Sequence, residues 1–205
     1  MAVLIEAERQ QVEAAITAAE RGTQGEIVVV VARSVFLARW PDLVIAAAGT
    51  FVLSGVLLLV QPATSAVALY GTQLVLFLLL LLVSCVPGLW ERLLPGGLRS
   101  RAVRRFAAEQ FVELGLHRTV GRTGVLIVVA LAEHRVEVLV DDGVAEVVEP
   151  SAWQRPVEDF VAKIRRGRLV EGLVAAVQDV GAILAEHLPG QPGDRNELAN
   201  RVVET

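Results

Sequence analysis

The spacing of hydrophobic positions changes repeatedly along this chain, and the changes lay out its elements. Residues 3 to 21 place Val3, Leu4, Val12, Ala15, Ile16 and Ala19 among charged neighbours, the pattern of an amphipathic helix that Gly22 stops. Glu26 to Ala32 follows as a continuous, largely β-branched run, which predicts a strand buried on both faces of a covered sheet. From Leu43 to Trp90 there is then no Asp, Glu, Lys, Arg or His.

Beyond that stretch the soluble patterns resume. Leu98 to Leu116 carries Val103, Phe106, Ala107, Phe111 and Leu114 at a helical period, closed by Gly115 or Gly121. Val125 to Ala130 predicts a second buried strand after Gly124. Ala132-Glu133-His134-Arg135 reads as a turn, Val136 to Val140 as a third strand completing a hairpin, and Asp142-Gly143 as its end. Two helices are expected near Pro150 to Arg166 and Leu169 to His187. The tail from Pro189 to Thr205 is polar, with Pro and Gly, and is expected to pack little.

The charge-free middle divides at Gln61-Pro62. Leu43 to Val60 and Ala63 to Val86 are each apolar or small enough, over 18 and 24 residues, to read as membrane spans. A hydrocarbon core needs roughly 20 helical residues. The competing reading, a very hydrophobic helix pair buried in a soluble protein, leaves segments such as Leu74 to Val83 hard to cover. Two spans joined by a tight turn return the chain to its starting side. Pro41 and Pro87-Gly88 supply boundaries. Arg33 and Arg39 precede the hairpin, and Arg92, Arg99, Arg101, Arg104 and Arg105 follow it, while the turn has no basic residue. The positive-inside rule then places both termini in the cytoplasm, with Trp40 and Trp90 at the same interface. The expected location is a bacterial-type inner membrane, multi-pass. No ionisable group lies inside the spans, so an anchor is expected rather than a conduction path.

Composition refines this picture only slightly. Hydrophobic residues make up 54% of the 205, and mean hydropathy is +0.54, high for an ordinary soluble domain. The net charge of −4 gives no reason to expect nucleic acid. The single cysteine, Cys85, excludes an internal disulfide. Glu6, Glu8, Arg9 and Glu13 interrupt any early apolar region, so no signal peptide is expected.

Candidate chemistry is sparse. Asp141, Asp142 and Glu146 offer hard oxygen ligands for Ca²⁺ or Mg²⁺, although an Asp-Gly turn needs no metal and the spacing is not that of an EF-hand. His117, His134 and His187 have no ligand spacing among themselves. Ser34 follows a strand but has no surrounding Gly-x-Ser-x-Gly. Gly121-Arg122-Thr123-Gly124 is neither a dinucleotide fingerprint nor a P-loop. No catalytic residue is assigned. Arg99, Arg101, Arg104 and Arg105 form a basic cluster placed to meet anionic headgroups; Lys163, Arg165, Arg166 and Arg168 form another, equally readable as a solvated helix end.

Three stretches together resemble the TPM domain family, which includes a thylakoid acid phosphatase and photosystem II repair proteins. They are Thr23-x-Gly25-Glu26-Ile27-Val28-Val29-Val30; Phe106 to Gly115-Leu116 with Gly124 to Ala130 and Arg135-Val136-Glu137-Val138; and Ile164-x-x-Gly167-Arg168-x-x-Glu171-Gly172-Leu173. The resemblance implies an α/β sandwich with a short mixed sheet between helices, and associations with phosphatase activity, calcium binding or assistance to membrane complexes. The sequence departs from the family pattern where that chemistry is expected. A Val-x-Asp opening is missing, and Gly-x-Gly-Leu-Glu is replaced by Asp141-Asp142-Gly143-Val144-Ala145-Glu146, with the family's later Asp falling near Ser151.

The expected architecture is therefore α/β, a small TPM-like sandwich split by a two-helix transmembrane hairpin. Residues 1–40 form its first part, 41–90 the hairpin with spans about 43–60 and 65–86, 91–188 the second part and 189–205 a polar tail. The expected role is a non-enzymatic accessory module on the cytoplasmic face, with the lipid bilayer and a membrane-associated protein as partners. The alternative is a membrane-tethered phosphatase or metal-assisted phosphoester hydrolase.

Overall fold

A computed structural model of the chain describes residues 3–35, 40–61, 65–84, 96–191 and 196–205, apart from the side chains of 40–43, 45, 83, 84, 96, 98 and 99. The chain divides into two compact units. One comprises Met1–Val35 with Gly96–Thr205, the other Phe36–Pro95.

The first unit is built on strand pairing across the sequence gap. Helix α1 (Glu6–Glu20) leads into β1 (Glu26–Ala32). After the second unit, α4 (Gly96–Glu113) leads into β2 (Gly124–Ala130), and β3 (Arg135–Val140) turns back antiparallel to it. Strand β1 pairs with β2 in parallel over its whole length, from Glu26 opposite Gly124 to Ala32 opposite Ala130. Two parallel strands need a crossover, and α4 belongs to that connection. A short helix, α5 (Asp142–Ala145), precedes α6 (Gln154–Arg165) and α7 (Leu169–His187). Strand β4 (Val202–Glu204) completes the sheet in the order β3-β2-β1-β4.

The β-branched runs are buried on both faces because each face has its own layer. Ile27, Val29 and Val31 with Val125, Ile127 and Val129 point to the side covered by α1, α6 and α7, where Phe160, Leu173 and Val177 fill the space. Val28, Val30, Leu126 and Val128 point the other way, against Phe106, Ala107 and Phe111 of α4. Alternation along a strand does the sorting. In α1, Val12, Ala15 and Ile16 are buried and Ala19 is partly so, as their helical spacing anticipates, whereas buried Leu4 and partly buried Val3 precede the helix, which starts at Glu6 rather than at residue 3.

The tail corrects the sequence expectation. Its last residues are a strand, not loose chain: Val202–Glu204 lie parallel to Val29–Val31, and the backbone bonds Thr205 N to Val31 O and Arg33 N to Thr205 O extend the pairing. Two valines give too weak a pattern to predict a strand. The determinants are acceptors distant in sequence, Glu13 bonding Val202 N at 3.3 Å and Glu26 bonding Glu197 N at 2.9 Å.

The second unit contains α2 (Trp40–Val60) and α3 (Ala66–Ser84). The helices pack on each other, with Leu80 Cδ1 3.4 Å from the Cβ position of Gly49. Thr50 folds its hydroxyl back onto Ala46 O and Ala47 O, and Ser54 onto Thr50 O, so neither presents a free donor. Much of the remaining surface is apolar and exposed, including Phe51, Val52, Leu59, Val67, Val75 and Leu82. Among the described residues no helix is long and apolar enough to cross a membrane. Pro62, Cys85, Pro87, Gly88, Trp90, Arg39 and Arg92 lie outside the described residues, as does the side chain of Arg99.

Candidate functional site

The acidic turn after β3 is organised by an arginine. Strand β3 ends where Asp141 N bonds Gly124 O at 2.9 Å, and Asp141 becomes the N-cap of α5, its Oδ1 accepting from Asp142 N at 2.8 Å. Strand β3 thus ends at Val140, where the Asp-Gly turn was expected to close it, and the pair also opens a short helix. Arg122 reaches across from the loop before β2. Its Nη2 lies 3.1 Å from Asp141 Oδ1 and 2.6 Å from Asp142 Oδ2, and its Nε donates to Asp141 Oδ1 at 3.2 Å.

Backbone geometry holds this clasp in place. Arg122 has a positive φ of 53°, and its carbonyl accepts from Gly143 N at 3.0 Å. The approach is so close that a Cβ on Gly143 would lie 2.3 Å from Gly121 O, so only glycine fits. Asp141 is 4% exposed, and its Oδ2 is buried without a hydrogen-bond partner. Asp142 is exposed, as is Glu146 at the far end of α5.

Of the set Asp141, Asp142 and Glu146 expected to offer oxygens to Ca²⁺ or Mg²⁺, both aspartates are engaged by the Arg122 guanidinium. Among the described residues no group of three or more His, Cys, Asp or Glu side chains is placed to hold a metal ion. The chemistry that the geometry supports is charge neutralisation and helix capping. Asp141→Ala is expected to lower stability by about 1–2 kcal/mol through loss of the cap, read by denaturant unfolding of the full chain.

The other candidates are dispersed. His134 sits at positive φ in the β2–β3 turn, His117 follows α4, and His187 ends α7 with Nδ1 2.9 Å from Ile183 O. Ser34 Oγ donates to Glu133 Oε1 at 2.9 Å. Glu133, read from the sequence as part of a turn, is 2% exposed and also accepts from Val35 N, so it fixes the chain as it leaves β1. Arg168 grips Glu171 through two bonds of 2.6 Å, which gives the second basic cluster a structural use. In the first cluster Arg105 pairs with Glu109 at 3.0 Å, and Arg101, Arg104 and Arg105 are exposed on α4. Burial raises the pKa of Glu137 on β3, against the opposing pull of Arg104 and Arg135.

A second polar site went unnoticed in the sequence. Thr17, Glu20, Gln24, Glu26, Glu197 and Asn200 are among the residues lining a cavity of about 430 Å³ where α1 and β1 meet the C-terminal segment. Its only sequence signal is Glu26, a carboxylate placed at the first position of a wholly buried strand.

Comparison with known proteins bears on the first unit. Residues 94–183 match the TPM domain family. The match runs from the start of α4 to within α7, and so takes in β2, β3, the arginine clasp and α6. The fold is also similar to the NMR structure of the BA42 protein from the psychrophilic bacterium Bizionia argentinensis. That likeness has a TM-score of 0.62 at 20% identity, covering 100% of this chain and 97% of that one. No curated protein matches the chain. The TPM match and the mixed four-stranded sheet between helices agree with the fold that the three quoted stretches imply.

Proposed function

We propose that the chain is a membrane-anchored TPM-domain protein, its second unit lying in lipid and its first unit serving as an accessory module at the cytoplasmic face. The TPM domain in this reading also includes residues 3–35, which lie outside the matched stretch but supply α1 and β1. The observation that carries the anchor is the exposed apolar surface of α2 and α3, set in a sequence uncharged from Leu43 to Trp90. Water penalises such a surface at about 25 cal/mol per Å² of apolar area, and lipid does not. Backbone groups within both helices are satisfied internally, as a hydrocarbon environment demands. Parallel pairing of β1 with β2 supports a there-and-back path, because both flanks belong to one sheet.

The basic cluster fits the same reading. Each arginine near an anionic surface contributes about 1 kcal/mol, and Arg101, Arg104 and Arg105 stand exposed on the helix that follows the hairpin. In nanodiscs, anionic lipid is expected to slow amide exchange over residues 101–105 relative to zwitterionic lipid. Replacing the three arginines by glutamine is expected to abolish the difference. Equal exchange in both lipids before replacement removes the headgroup role.

The module is read as docking a membrane-associated protein rather than turning over a substrate. Arg122 on the aspartates supports that preference over phosphoester hydrolysis. Washed membranes containing the chain are tested for retention in high salt and alkaline carbonate, and the detergent-solubilised protein for phosphoester turnover with added Ca²⁺ or Mg²⁺. Retention without turnover is the expected result. Release by carbonate removes the anchor, and turnover lost in Asp142→Asn replaces the module with the hydrolase.

A further inference from the structure

The two edges of the sheet are finished differently. At one, β4 is only three residues long. At the other, β3 runs for six residues, Arg135–Val140, with no proline and with an unbroken register against β2. Natural sheets blunt such an edge with a bulge, a proline or a covering element, because unpaired backbone groups invite another strand.

The register shows which groups are open. Asp141 N bonds Gly124 O, so hydrogen-bonded pairs recur at Leu139 with Leu126, Glu137 with Val128 and Arg135 with Ala130. The N–H and C=O groups of Val136, Val138 and Val140 therefore point away from β2, and among the described residues no bond takes them. Both faces of the strand are already packed. Val136 and Val138 line an apolar cleft with Val157 and Phe160 of α6, while Leu139 packs on the Leu126 and Val128 side, which α4 covers. Only the edge is left.

The charged side chains of β3 select the partner. Arg135 and Glu137 are two residues apart and share the α4 side of the strand. An antiparallel copy of the same strand, centred with Val136 against Val136, sets Arg135 of each copy opposite Glu137 of the other. Both cross-strand pairs are then of opposite charge, and the two Val136 residues exchange N–H and C=O bonds. The neighbouring registers are poorer. Centring on Glu137 sets two carboxylates face to face, and centring on Val138 sets Arg135 opposite Asp141, which is buried and already held by Arg122. We propose that β3 pairs with β3 of a second copy, antiparallel and centred on Val136, which joins two four-stranded sheets into one of eight. The contact is isologous and closes on itself as a dimer. Its two-fold axis runs along the sheet normal, so both copies keep α4, with the exposed Arg101, Arg104 and Arg105, on the same side. One membrane surface can meet both clusters, although the pairing itself does not depend on the membrane reading.

The test is sedimentation equilibrium of the full chain in a density-matched detergent, with a dimer expected. R135E and E137R each turn both cross-strand pairs into like charges, so each alone is expected to raise the dimer Kd on the order of 10- to 100-fold. Mixing R135E with E137R restores opposite charges in a mixed dimer, and the double variant R135E/E137R restores them between identical chains. A folding defect is not rescued by mixing. Amide exchange locates the contact: Val136 and Val138 are expected to gain protection on dimerisation, while Val202 and Val203 in β4 stay unchanged. A chain that is monomeric when pure, single variants that are not rescued by mixing, or a dimer in which Val136 gains no protection each overturns the pairing.

Discussion

Phe160→Ala is expected to destabilise the first unit by about 3–5 kcal/mol. Phe160 is 1% exposed, and its ring lies so close to Gly172 that a Cβ there would stand 2.6 Å from Cδ2. The side chain fills the space between α6 and α7 in the same core as Val136 and Ile127. A methyl group in its place leaves a void that Gly172, with no side chain, cannot fill. Against a typical total of about 5–15 kcal/mol, such a loss brings the unit near unfolding at physiological temperature. Denaturant titration followed by tryptophan fluorescence reads it. A change below about 1 kcal/mol means that this part of the core is not assembled as described.

The second large effect separates a lipid surface from a water surface. Val75 in α3 is 59% exposed and Val120 in the first unit is 91% exposed. In water, arginine at either exposed position changes stability by less than about 0.5 kcal/mol. In a bilayer, Val75→Arg near the middle of a span costs about 2.5–3.5 kcal/mol of insertion, on the order of 100-fold, while Val120→Arg stays neutral. The measurement is the membrane-inserted fraction of each variant after translation in the presence of microsomes or inverted vesicles. Equal insertion of the two variants places α3 in water.

How far the sequence foretold this structure follows from the reach of each determinant. Strands β1 and β2 were legible because Val28 to Val31 and Val125 to Val129 are continuous β-branched or aliphatic runs, which few other environments accommodate. The β2–β3 hairpin was legible from alternation after a short polar turn. Strand β4 was not, since its place depends on Glu13 and Glu26, which lie more than 150 residues away in the chain. Arg122 read as part of a glycine-flanked loop. Its use appears only when β2 and β3 pair and bring Asp141 within reach. Glu20 and Asn200 are ordinary polar residues in sequence, and only the fold brings both into the lining of one cavity. Local pattern thus announces elements, whereas polar sites that join distant segments stay hidden until the segments meet.

Two-sided labelling decides the central claim, that α2 and α3 form a there-and-back pair in the bilayer with both flanks on one side. Single cysteines are placed near each terminus, in a background where Cys85 is replaced by serine, and sealed membrane vesicles of known orientation are treated with an impermeant thiol reagent. Equal protection of the two termini, both on the cytoplasmic side, is the result expected. Termini that react from opposite sides contradict it, as does a chain found in the aqueous fraction without detergent.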